Sequence, residues 1–150
     1  MKNEEKQALL REANAFFELA EYGRIHIPEQ EYLESYIPYI VNMTFATELY
    51  LKLLLIHNGK TINNVKSLSH NIYNLYSELE TSQKTQIYES FKRPLIYSID
   101  DELKQINTAF QDWRYLVLNK ANNIATHLQY KPFFIKEFNE ILQNMCKDIF

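Results

Sequence analysis

The chain has 150 residues, 46% of them hydrophobic, with two glycines, four prolines and a net charge of −3. That suits one domain of ordinary size with apolar side chains enough for a core, and so few turn formers argue against a β-sandwich or a Rossmann-type fold. The mixed charges exclude a field for non-specific DNA binding, and a single cysteine, Cys146, excludes an internal disulfide and a Cys/His zinc spacing.

The chain begins MKNEEKQALLREAN, which is charged and helical in pattern and unlike a signal peptide. Its apolar spacing at Leu9, Leu10, Ala13, Phe16, Phe17 and Ala20 predicts a helix from Lys2 to about Tyr22, stopped by Gly23. A connection containing Pro28 follows. The second helix is expected from Tyr36 or Pro38 to His57, with Asn58-Gly59 as its stop. It is apolar nearly all round, which places it centrally among neighbours. Its longest apolar run, Leu49 to Ile56, is interrupted by Lys52 and falls short of a membrane span. The expectation is a soluble, cytoplasmic protein with no membrane partner.

Residues 60–69 read as a polar loop, with Ser67 or Ser69 capping a short helix that carries Ile72, Leu75, Tyr76 and Leu79. A second short helix spans Thr81 to Lys92, with Ile87 and Phe91 inward. Ser98-Ile99-Asp100-Asp101 has the spacing of a capping box and opens a long helix with Leu103, Ile106, Phe110, Trp113 and Val117 on its inner side. That helix loosens near Asn119, Asn122 and Asn123. Pro132 starts the last helix, whose stripe is Phe134, Ile135, Phe138, Ile141, Leu142, Met145 and Ile149. The fold class is therefore all-α: one domain over 1–150, an antiparallel bundle of four long helices and two short ones.

Two charges fall on apolar stripes. Glu48 shares a face with Ile37, Val41, Thr44 and Leu55, and Arg114 shares one with Leu103, Asn107, Phe110 and Val117. Burying either charge alone is costly, so the first expectation is a Glu48–Arg114 pair across the helix interface. Such a pair serves a site or simply fixes helix register. Alternatively, Glu48 and Lys52 pair at i, i+4 on a partly exposed rim.

Three stretches resemble the HEPN family (higher eukaryotes and prokaryotes nucleotide-binding domains): NMTFATELYLKLLLIHNGK at 42–60, SHNIYNLYSELE at 69–80 and NTAFQDWRYLVLN at 107–119. The resemblance implies a helical bundle that forms homodimers and, in many members, a metal-independent RNase using an Arg followed four to six residues later by His. Arg114 matches that Arg. Asn119, Lys120 and Ala121 stand where the His belongs, and His127 lies too far along. Cleavage through the ribose 2′-hydroxyl needs a proton acceptor, which Asn119 is not. The expectation is thus a noncatalytic member that binds RNA, a nucleotide or a protein partner through a patch of Glu48, Lys52, His70, Arg114 and Asn119. The resemblance also suggests a bacterial defence or toxin–antitoxin setting and a nucleotidyltransferase-type partner protein.

The alternative is an active endoribonuclease in which Arg114 works with His70 or Glu48. His70 is expected in the first turn of a short helix, where the dipole favours a neutral imidazole. A third reading is a pure interaction module whose last helix offers Phe138, Leu142 and Met145 to a second copy. Neither a metal nor another cofactor is expected, since no two of His26, His57, His70 and His127 stand at i, i+3 or i, i+4.

Overall fold

A computed structural model describes residues 1–26, 32–107 and 132–150. Seven helices and no strands occur among them: α1 (Asn3–His26), α2 (Tyr32–His57), α3 (Ile62–Ser67), α4 (Ile72–Ser77), α5 (Thr81–Ser90), α6 (Ile99–Ile106) and α7 (Pro132–Lys147). The all-α class stands. Of the expected fourth long helix, Ile99–Ile106 is described as α6; the rest of the expected span lies outside the described residues.

Three boundaries differ from the sequence reading. Helix α1 runs through Gly23 to His26, and α2 begins at Tyr32 with Pro38 inside it. Pro38 has no N–H to give the carbonyl four residues earlier, a local loss that the helix absorbs. The stretch 60–69, expected to be a loop, contains α3. Thr61 caps it by accepting from the Asn64 amide, and Val65 is its one buried side chain. So short a helix with a single apolar anchor leaves no periodicity to detect.

Helix α2 is the centre. It packs on α1, α7, α3 and α4, and Tyr39, Ile40, Met43, Leu51, Leu53, Leu54 and Leu55 are buried around its circumference. Segment Pro38–His57 is long and apolar enough to cross a membrane by length and composition, but 72% of it is buried inside the fold. The helix ends as Asn58-Gly59 foretold. Gly59 takes φ 91°, its amide donates to the Ile56 carbonyl and the Lys60 amide to that of Leu55. This is the paired Schellman closure, which needs the left-handed glycine.

Helix α1 lies close against α2 through the small side chains of Ala13 and Ala20, flanked by an edge-to-face Phe16–Phe45 contact at 4.4 Å. Helix α7 buries the expected stripe, and Phe91, Phe134 and Phe138 stack in series at 5.7 and 5.5 Å. This corrects the interaction-module reading. Phe138 and Leu142 are fully buried and Met145 nearly so in the chain's own core, so they are not a face for a second copy.

Buried polar groups are satisfied where the long helices meet. The Asn139 amide donates to the carbonyls of Met43 and Ile135 at 3.1 and 2.9 Å. The Thr47 hydroxyl lies within hydrogen-bond distance of the Met43 carbonyl and of Asn139 Oδ1. The Tyr50 hydroxyl and Gln143 Nε2 both donate to Asn14 Oδ1, at 2.7 and 3.0 Å. These bonds tie α2 to α7 and to α1 in one register, since a slip would leave buried polar atoms without partners.

Candidate functional site

Glu48 is 2% exposed, in the middle of the most apolar of the described helices. Its partners among the described residues are Lys52 and His70. Lys52 Nζ donates to Glu48 Oε1 at 2.5 Å, one helical turn away. His70 Nδ1 lies 3.0 Å from both carboxylate oxygens. The i, i+4 pairing with Lys52 is therefore present, but Glu48 is on no rim; only its partners reach the surface. The Lys52 side chain is 18% exposed and that of His70 46%. Arg114 and Asn119, the other residues expected in the patch, lie outside the described residues.

The backbone between α3 and α4 sets the position of His70. It stands in a turn just before α4 rather than in the helix, so the expected dipole effect is not what holds it. Ser69 takes φ 57°, the left-handed region that side-chain-bearing residues seldom adopt. Its amide donates to the Lys66 carbonyl, closing the end of α3. Asn71, rather than Ser67 or Ser69, caps α4, its Oδ1 accepting from the Asn74 amide at 2.7 Å. His70 is thus fixed between a left-handed residue and a helix cap, and the chain has little freedom there to move it off Glu48.

The α4 side of the patch is pinned to α6. The Tyr73 amide donates to Asn107 Oδ1 at 2.9 Å, and Lys104 Nζ sits over the Tyr73 ring, 4.9 Å from its centroid. Tyr73 and Lys104 did not stand out in the sequence, because the Tyr73–Asn107 bond joins residues 34 positions apart and Lys104 meets Tyr73 only through the packing of α4 on α6.

The arrangement has layers. An ionised carboxylate can only accept hydrogen bonds, so the Nδ1 of His70 carries a proton toward Glu48. In the neutral ring Nε2 is then the basic nitrogen. The buried Glu48 carboxylate of α2 holds the Lys52 ammonium from its own helix and the His70 imidazole from the turn before α4 at its outer side, so two nitrogen groups from different elements meet toward the surface. That geometry suits contact with an anionic oxygen, and it also has the form of a base oriented by a carboxylate.

No three His, Cys, Asp or Glu side chains among the described residues gather as a metal set. A separate pocket of about 160 Å³ lies between α5 and α7, where Glu137, Glu140, Asp148 and Lys92 share the lining with Ile141 and Met145. It has no residue in common with the Glu48 cluster. Cys146 is buried, its thiol within reach of the Tyr50 carbonyl, and burial pushes its ionisation well above the ordinary thiol range. It is not poised as a nucleophile. Compared with protein-family models, curated proteins and solved structures, the chain matches none.

Proposed function

We propose that this chain is a HEPN-like helical domain that binds the phosphate groups of RNA or a nucleotide at the Glu48–Lys52–His70 patch without cutting them. The supporting observation is the convergence of Lys52 and His70 on the buried Glu48 carboxylate, which holds both at the surface. The family resemblance at 42–60, 69–80 and 107–119 supplies the ligand class. On this reading Arg114 adds a further phosphate contact, and the domain acts as a homodimer.

A second reading has one specific observation in its favour. The contact of Glu48 with Nδ1 is what a general base requires of its orienting carboxylate, so His70 could take the part of the histidine missing after Arg114. Purified protein with end-labelled RNA, with and without EDTA, separates the two. The binding reading expects RNA or nucleotides to raise the melting temperature while the RNA stays intact. Cleavage that persists in EDTA and disappears in both His70→Gln and Arg114→Ala establishes the nuclease instead.

A further inference from the structure

We infer that the outer face of α1 is the surface on which two copies of this chain meet, as an antiparallel pair of α1 helices about a two-fold axis near Ala15. The inference rests on the homodimer reading above and names the face that the copies share; it does not depend on the Glu48 patch.

Helix α1 buries Ala13 and Ala20 against α2. Its opposite side carries Ala8, Arg11, Ala15, Glu18 and Tyr22, each three or four residues from the next and all exposed. Toward the C-terminal end of that side Leu19, Tyr22 and Ile25 are 55%, 61% and 65% exposed. Three large apolar side chains within two turns form a patch rather than scattered single contacts with water.

Arg11 and Glu18 set the orientation. The positions three and four residues to either side hold no acid for Arg11 and no base for Glu18, and neither forms an ion pair among the described residues. They stand seven residues apart, close to two turns, and so lie on one line about 10 Å apart along the axis. Laying a second α1 end for end sets each Arg11 against Glu18 of the other copy, which makes two ion pairs. The same overlay sets the small Ala8 against the large Tyr22 and Ala15 against itself, because the midpoints of both residue pairs fall at Asn14 and Ala15. A parallel pair would set Arg11 on Arg11 and Glu18 on Glu18. The face is therefore complementary to its own copy in one orientation, as a two-fold interface requires. One helix face is small for a specific interface, below about 1,200 Å². The pair should thus dissociate at micromolar concentrations, and salt should loosen it by screening the exposed charges.

The test is sedimentation equilibrium of the full chain at low salt, from micromolar to millimolar concentration. The wild type should pass from monomer to dimer across that range. Arg11→Glu and Glu18→Arg each set two like-charge pairs face to face and should weaken self-association about tenfold or more. Mixed in equal amounts, the two variants should form a heterodimer as tight as the wild-type dimer. The double variant Arg11→Glu/Glu18→Arg should self-associate again. Both positions are exposed, so the circular dichroism and melting temperature of the dilute variants should match the wild type. A dimer that ignores either single reversal, or two dissociated variants that fail to pair when mixed, would overturn the inference and leave the homodimer to another surface. A wild type that stays monomeric throughout would remove the homodimer reading with it, while phosphate binding is read separately by the melting temperature with RNA.

Discussion

Glu48→Gln is the sharpest probe of the patch, because it removes a charge and keeps the shape. In the wild type the carboxylate accepts from Lys52 at 2.5 Å and from His70 at 3.0 Å while itself 2% exposed. Hydrogen bonds to a charged group contribute about 1.5–3 kcal/mol each. Removing one member of a fully buried ion pair costs about 3–5 kcal/mol. Here the partners are partly exposed and can turn to water, so the lower end applies. The glutamine carbonyl can still accept from one donor, but its NH₂ meets the other. A loss of about 1–2 kcal/mol follows from one such bond forfeited with partial solvent recovery. At this chain length that is a fall of roughly 2–8 °C in melting temperature. Urea titration at pH 7, followed by far-ultraviolet circular dichroism, measures it directly, with an unchanged m-value as the check that the unfolded state is the same. A cost below about 0.5 kcal/mol, the level of an ordinary surface change, would show that the carboxylate does not hold Lys52 and His70, and the layered site would fail with it.

Two pH effects follow from the helix contacts. Burial pushes the phenols of Tyr50 and Tyr76 up, Tyr76 to about 12 with Asp100 adding to the effect. Both should be among the last of the eleven tyrosines to ionise in a spectrophotometric titration. Unfolded tyrosine ionises near 10, so stability is complete below that pH and declines as pH rises through 10 toward 12. A chain whose urea midpoint stays constant from pH 9.5 to 11.5 would contradict this. At the other end of the scale, burial pushes Glu21 up, but hydrogen bonds from Arg24 and Lys136 outweigh it and hold the carboxyl below its ordinary value. The 2.8 Å bond to Lys136 joins α1 to α7. Its contribution is present above about pH 4.5 and is lost as pH falls through the lowered value. Lys136→Met should cost about 0.5–1 kcal/mol at pH 7, and the gap to wild type should narrow as pH falls below about 4.5 and Glu21 takes up its proton; a gap that stays constant through acid pH would rule out the linkage.

The amino-acid sequence by itself determined the helices that have a period to read. The stripe of α7 from Phe134 to Met145, the Asn58-Gly59 stop and the Ser98 cap are local, since each follows from side chains within a turn or two of one another. It also showed that Glu48 could not be buried alone, because desolvation of a lone carboxylate is prohibitive in any fold. Which cation answers it is a different kind of question. His70 is 22 residues away and joins Glu48 only because Ser69 turns left-handed and Asn71 restarts the helix. No spacing rule encodes that contact, so sequence reasoning set His70 in the patch and offered the local Lys52 pair, which is present, without foreseeing that His70 itself contacts Glu48. The fate of Phe138, Leu142 and Met145 was likewise hidden, for an apolar stripe looks the same whether its own chain or a second copy covers it. Tertiary structure decided that, by packing α7 against α2 and leaving no apolar face of those residues exposed.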